Sequence, residues 1–391
     1  MCEQIEGSQA MARVVAACRP DVVCAYPISP QTHIVEALAA MVRAGRPGRA
    51  QFVNVESEMA ALSVAIGASA TGARAYTATA SQGLLYMAEA LYNAAGLGLP
   101  IVMTVANRAI GAPINIWNDH SDSISQRDSG WIQLYALDNQ HAADLHPVAF
   151  RLAEEVSLPV MVCVDGFVLT HAVEPVDLAE QAQVDAFLPP FAPRQVLDPD
   201  DPITIGAMVG PEAFTEVRFL AHENAKRALD RLPVLAADYA AIVGRTVPAI
   251  VDSYRSEDAE MLVIAMGSVV GTLKDAVDEL RDDGADVGAL GLVAYRPFPF
   301  ETIRAAAAGR SRVIVLERAQ PAGSTGVVGA EVRSALPGGP PVHSVVAGLG
   351  GRPVTRSSLK TVITAAQRGE LPELSFMDLD TGLVEAARSA T

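Results

Sequence analysis

Two acids, Glu56 and Glu58, stand between a short apolar stretch (Phe52, Val53, Val55) and a long run of small and apolar residues from Met59 to Ala70. The first stretch reads as a strand and the run as a helix packed on most sides. An acid in the first turn of a helix complements its dipole, worth roughly 0.3–1 kcal/mol, and this accounts for one of the two. A second acid facing an apolar interior is costly without a partner. Burial there would raise its pKa and make it a proton donor or a strong hydrogen-bond partner. Arg108 follows the apolar run Pro100–Asn107, where a guanidinium can grip a carboxylate in bidentate fashion. Ser29 offers a hydroxyl between Pro27 and Pro30 in the loop AYPISPQT, although the same residues also make a rigid turn with a capping hydroxyl.

The loop TASQGLL carries Ser81, Gln82 and Gly83. Gly83 permits close backbone approach, and a helix N-terminus there favours a polar or anionic ligand. It is neither a Walker motif nor a G-x-G-x-x-G, and an ordinary turn fits it equally well. Residues 106–131 have little helical or strand period and contain Asp119, His120, Asp122, Arg127 and Asp128. A loop of that length in a compact domain is functional or disordered, and its Trp and Ile content argues for order. Asp119, His120 and Asp122 match no defined metal motif, so no metal is expected on this chain.

These residues need elements to position them. Val- and Ile-rich strands (21–27, 73–80, 100–107, 158–166) alternate with Ala-rich helices (32–45, with Thr32 as N-cap; 84–96; 146–157). That alternation predicts parallel βαβ units in an α/β layer fold, with ligands at the carboxyl ends of the strands. Residues 174–212, rich in Pro and Asp, read as extended wrapping chain, and 216–258 as helical. A second α/β pattern follows, with strands at 260–268, 285–297 and 311–318. The expected organisation is a first domain over 1–235 that includes the wrapping segment, a helical linker over 236–258, and a smaller second domain over 259–391.

Half of the 391 residues are hydrophobic and 19% are charged, which describes a globular chain. The net charge of −16 argues against nucleic acid or an anionic membrane as a main partner. Cys2, Cys18, Cys24 and Cys163 form no C-x-x-C pair, which argues against a cluster or zinc site wholly within the chain. Few cysteines, no signal-like leader and no uninterrupted apolar run of spanning length suggest the cytoplasm.

Several long motifs in one order resemble the α subunit of 2-oxoacid:ferredoxin oxidoreductases, the pyruvate:ferredoxin type above all. They are AYPISPQT, VNVESEMAALSVAIGASATGARAYTATASQGL, LPIVMTVANRAIGAPINIWNDHSDSISQRDSGWIQLYA and LPVMVCVDGFVLTH. The likeness is near-continuous over about 8–175 and looser through SYRSEDAEMLVIAMGS and AYRPFP. It implies a transketolase-like, parallel-sheet α/β domain that binds the pyrimidine of thiamine diphosphate, plus a smaller transketolase C-terminal-like α/β domain with a structural role. By motif, Glu58 takes the position of the glutamate that contacts N1′ of the aminopyrimidine and favours its imino tautomer. Glu56 keeps the dipole role. Ser81, Gln82 and Gly83 fall in a cofactor-binding turn. Arg108 would bind the 2-oxoacid carboxylate. Ser29 stands where the family usually has Thr and would bond the same end of the substrate, in a slightly roomier pocket.

The G-D-G…N motif that holds the diphosphate through a metal is absent, since Asp165-Gly166 is followed by Phe167. The resemblance therefore implies a β-type partner bringing Mg²⁺, the diphosphate pocket and a [4Fe–4S] cluster. It also implies γ and ferredoxin-like δ subunits or equivalents, coenzyme A as co-substrate, ferredoxin or flavodoxin as electron carrier, and α and β alternating around a two-fold. The implied reaction is pyruvate, coenzyme A and oxidised ferredoxin giving acetyl-CoA, CO2 and reduced ferredoxin. The alternatives are a thiamine-dependent decarboxylase or synthase subunit with another acceptor or substrate, and a paralogue that binds a partner without chemistry.

Overall fold

Three apolar runs, Ala75–Thr79, Val102–Asn107 and Val160–Asp165, are buried over their whole length. Burial on both faces is what a parallel strand between helix layers requires. A computed structural model describes residues 2–46 and 48–389 and places all three inside one seven-stranded sheet. Its order is Ala294–Arg296, Ile132–Tyr135, Val160–Asp165, Val102–Asn107, Ala75–Thr79, Val22–Ala25 and Gln51–Asn54. All neighbours run parallel except the first pair. A second sheet of six strands runs Leu374–Phe376, Val342–Val346, Arg312–Glu317, Met261–Ala265, Val287–Leu292 and Val251–Tyr254, with only the last strand antiparallel.

The two sheets are not independent. The expected single strand over 285–297 divides at Val293. Val287–Leu292 lies in the second sheet, and Ala294–Arg296 crosses to pair antiparallel with Ile132–Tyr135 of the first. Val293 carries the crossing: its carbonyl accepts from Tyr135 N and its N–H donates to Ile250. The stretch 236–258 is helical only to Val243. Gly244, at φ 76°, ends the long helix Phe214–Val243, and Val251–Tyr254 is an edge strand of the second sheet. The extended segment over 174–212 is partly regular. Val173–Asp177 pairs antiparallel with Cys2–Glu6, and Gln181–Phe187 is a helix with a capping box; residues 188–213 are irregular.

Helix boundaries differ in instructive ways. Thr32 is the first helical residue and Gln31 the cap position. The buried Gln31 amide instead ties the loop down, donating to the carbonyls of Tyr26 and Ala78. The single helix expected over 84–96 is two, Ser81–Tyr86 and Ala88–Gly96, broken at Met87. The helix expected from His146 begins at Asn139, because the Asp138 carboxylate caps it by accepting from His141 N at 2.7 Å.

A buried polar joint holds the second domain against the first. Asp165 ends the strand Val160–Asp165 and is sealed from solvent. It accepts from His120 Nε2 at 2.6 Å and from Ser268 Oγ at 2.5 Å and N at 3.0 Å, with Arg318 Nη1 at 3.6 Å. Gly267 sits over this joint at φ 76°, and a Cβ there would lie 2.8 Å from Asp165 Oδ1.

Candidate functional site

The carboxyl ends of four neighbouring parallel strands carry the expected residues. Val22–Ala25 leads to Ser29, Gln51–Asn54 to Glu58, Ala75–Thr79 to Ser81–Gly83, and Val102–Asn107 to Arg108. This is the edge where open α/β sheets bind ligands.

Glu58 is the first residue of the helix Glu58–Ala70, whose cap is Ser57 Oγ accepting from Ala60 N at 3.2 Å. Glu58 is therefore the first-turn acid. Glu56 lies outside that turn and is exposed, so the dipole role expected of it passes to Glu58. The Glu58 side chain is turned inward, with 9% of the residue exposed. It lies against Gly83, where a Cβ would stand 2.7 Å from Glu58 Oε1 and 2.6 Å from Thr79 Oγ1. Only glycine lets the helix Ser81–Tyr86 come this close. The Glu58 carboxylate has no hydrogen-bond or ion-pair partner among the described residues, and the buried Thr79 hydroxyl is also unpartnered. The Thr79 hydroxyl is a buried orphan of the kind folded proteins seldom leave, and the Glu58 carboxylate beside it is unpaired.

Arg108 is 7% exposed and reaches back to the Ser29 loop. Its Nη1 donates to the Ser29 carbonyl at 2.9 Å and its Nε to the Asn115 carbonyl at 3.3 Å. Neither partner is charged, and no carboxylate pairs with it among the described residues. Burial lowers its pKa, opposed by the Asp122 charge nearby. The Ser29 side chain is exposed and its hydroxyl is unbonded among the described residues. The structure thus joins Ser29 to Arg108 and Glu58 to Gly83. Ser81 Oγ donates to the Ala109 carbonyl at 2.5 Å and also meets the Gln82 amide, which packs against Gly111.

Asp119, His120 and Asp122 have separate roles. Asp119 accepts from Ser121 N and, across the domain boundary, from Gly350 N; His120 joins Asp165. Asp122 is buried and receives N–H donors from Ser81, Arg108, Asn107 and Ser123. Thr79 and Asp165 were given no role from the sequence, and Asp122 only a place in the metal triplet, because what singles them out is burial and neighbours distant in the chain. No group of three or more His, Cys, Asp or Glu among the described residues is placed to hold a metal. No helix among them is long and apolar enough to cross a membrane.

Residues 13–240 match the family model of the thiamine-diphosphate-binding part of pyruvate flavodoxin/ferredoxin oxidoreductases. Residues 259–359 match that of core domain II of pyruvate:ferredoxin oxidoreductase. The chain belongs to this family of 2-oxoacid oxidoreductases, of which it is one subunit. It is 46% identical over 390 residues to the pyruvate synthase subunit PorA of Methanosarcina barkeri, covering 97% of each chain. It is 40% identical over 365 residues to the ketoisovalerate oxidoreductase subunit VorA of Pyrococcus abyssi, covering 92% of this chain and 91% of that one. Its fold is that of the 2-oxoglutarate:ferredoxin oxidoreductase of Magnetococcus marinus, at TM-score 0.74 and 19% identity. The likeness covers 93% of this chain but only 65% of the other.

The orphaned groups suit an aminopyrimidine. Its ring nitrogen and amino group take polar partners of the kind that the unpaired Glu58 carboxyl and the Thr79 hydroxyl offer.

Proposed function

We propose that this chain is the α subunit of a complex that converts pyruvate, coenzyme A and two oxidised ferredoxins to acetyl-CoA, CO2 and two reduced ferredoxins. The observation that carries the reading is the inward-turned Glu58 side chain, whose carboxylate has no protein partner among the described residues and lies against Gly83 beside the unpartnered Thr79 hydroxyl. Pyruvate as substrate rests on the pyruvate synthase relative.

In this reading Glu58 bonds N1′ of the aminopyrimidine, in a place where little water competes. When bound, thiamine diphosphate supplies the nucleophilic carbon and the electron sink that decarboxylation of a 2-oxoacid needs. Gly83 lets its turn close on Glu58, and Ser81 and Gln82 line the cofactor from the same turn. Arg108, already desolvated and without a counter-ion, grips the substrate carboxylate, and the Ser29 hydroxyl bonds the same end. A β-type subunit brings Mg²⁺, the diphosphate pocket and a [4Fe–4S] cluster. The γ and ferredoxin-like δ subunits, or their equivalents, carry electrons to ferredoxin or flavodoxin in the cytoplasm.

A second reading keeps the machinery and changes the substrate to a branched 2-oxoacid. The ketoisovalerate oxidoreductase relative at 40% identity favours it, together with the smaller Ser29. One experiment tests both. The chain is co-expressed with its β-type partner and viologen reduction is followed with pyruvate, 2-oxobutyrate, branched 2-oxoacids and 2-oxoglutarate, each with and without coenzyme A. Coenzyme-A-dependent reduction by pyruvate supports the first reading, and preference for a branched acid the second. Silence across the panel, in a complex that holds thiamine diphosphate and its cluster, contradicts both.

A further inference from the structure

One oxygen atom links the two turns on which the proposed chemistry depends. Asp122 Oδ2 accepts from Ser81 N and from Arg108 N, each at 2.9 Å. Its Oδ1 accepts from Asn107 Nδ2 at 2.8 Å and from Ser123 N at 2.7 Å. The Ser81 turn carries Gln82 and Gly83; the Arg108 turn carries the guanidinium that reaches Ser29. The turns leave adjacent parallel strands, so a shared acceptor between them sets their spacing.

A packing role alone does not explain a carboxylate here. Asp122 is wholly buried, and taking such a charge from water is costly unless donors surround it. Burial pushes its pKa up to about 6, against the pull of those four bonds. Ser81, which one of the bonds fixes, is a non-glycine residue at φ 50°, a conformation that needs its surroundings to hold it. Asp122 is itself held at a distance. It sits in the short helix Ser121–Ser125, and the preceding His120 is bonded to Asp165 at the domain joint.

We propose that Asp122 is a positioning residue that couples the cofactor turn to the substrate arginine, so that loosening it weakens binding of both ligands together. The inference rests on the function proposed above. Asparagine cannot replace it. A carboxylate offers acceptors only, whereas an amide must turn its own N–H donors toward either the Ser81/Arg108 pair or the Asn107/Ser123 pair.

The test uses the assembled complex carrying Asp122→Asn. Amide hydrogen exchange is read over 79–84 and 106–110, alongside the dissociation constant for thiamine diphosphate with Mg²⁺ and the KM for pyruvate. The expected result is faster exchange in both segments and a rise of about tenfold or more in both constants, with a smaller fall in kcat. If Asp122→Asn fails to assemble, Asn107→Ala removes one of the two donors that hold the other oxygen, so the bridging carboxylate stays but is held more loosely. A paired but smaller rise, about two- to fivefold, is then expected. Unchanged constants, or a change in only one of them, overturn the coupling in either variant. A wild-type complex that neither binds thiamine diphosphate nor reduces viologen would sink the functional reading instead. The exchange measurement would still decide whether Asp122 ties the two turns.

Discussion

Glu58 and Glu317 are buried glutamates near helix N-termini, one in each domain, and they differ in what meets them. Glu317 ends the strand Arg312–Glu317 and accepts from Val328 N at 3.1 Å, Gly329 N at 2.7 Å and Ser344 Oγ at 3.3 Å. Burial raises its pKa against these bonds. Glu58 is largely buried, with 9% of the residue exposed, and is met by none among the described residues. Where the chain supplies the donors, the group ties a helix to a sheet. Where it withholds them, as at Glu58, the group is open to a ligand, which we propose is the cofactor. Asp122 and Asp165 belong with Glu317 in having protein partners, and Arg108 belongs with Glu58, since it lacks a carboxylate of its own.

This contrast orders the expected effects of substitution. Glu58→Gln should lower turnover of the assembled complex by about 10²–10⁴-fold, the range of a positioned proton-transfer group, with little loss of stability. Asp165→Asn breaks a buried pair and should cost about 3–5 kcal/mol in denaturant unfolding. Its pH dependence follows from the same contacts. Burial alone would raise the Asp165 pKa, but His120, Arg318 and Ser268 hold it well below the usual carboxylate range. Its stabilisation is therefore present at and above the ordinary carboxylate pKa and fades only as pH falls further. Denaturant midpoints between pH 7 and pH 5 should show no loss traceable to this group, and acid unfolding should come earlier in the variant. Glu317→Gln should cost about 1–3 kcal/mol through the unsatisfied helix N–H groups, with the activity per folded complex unchanged. Ser29→Ala should be mildest, raising KM for the 2-oxoacid by no more than about tenfold, the worth of one neutral hydrogen bond.

Much of this was legible in the sequence because it rests on local pattern. The strand–loop–helix junctions after Ala25, Asn54, Thr79 and Asn107 follow from apolar runs meeting Pro, Ser and Gly, and they place Ser29, Glu58, Ser81–Gly83 and Arg108 on one sheet edge. Asp122 was visible only as one acid among several. Two of its four partners are backbone N–H groups 14 and 41 residues away, and residue type does not encode those. Thr79 looked like any strand threonine until Gly83 was seen to bring the helix against it. The crossing at Val293 was hidden for a different reason. Gly291 to Tyr295 is buried without a break, so hydrophobicity cannot tell that two sheets share it.

The central claim is that Glu58 lacks a protein partner because its partner is the cofactor. The most direct test is the turnover of the Glu58→Gln complex, saturated with thiamine diphosphate and Mg²⁺, measured beside Glu317→Gln with the melting temperature of each. The Glu58→Gln complex should melt like wild type and be nearly inactive, and the Glu317→Gln complex should melt earlier but turn over normally once folded. Near-normal turnover in Glu58→Gln would contradict it.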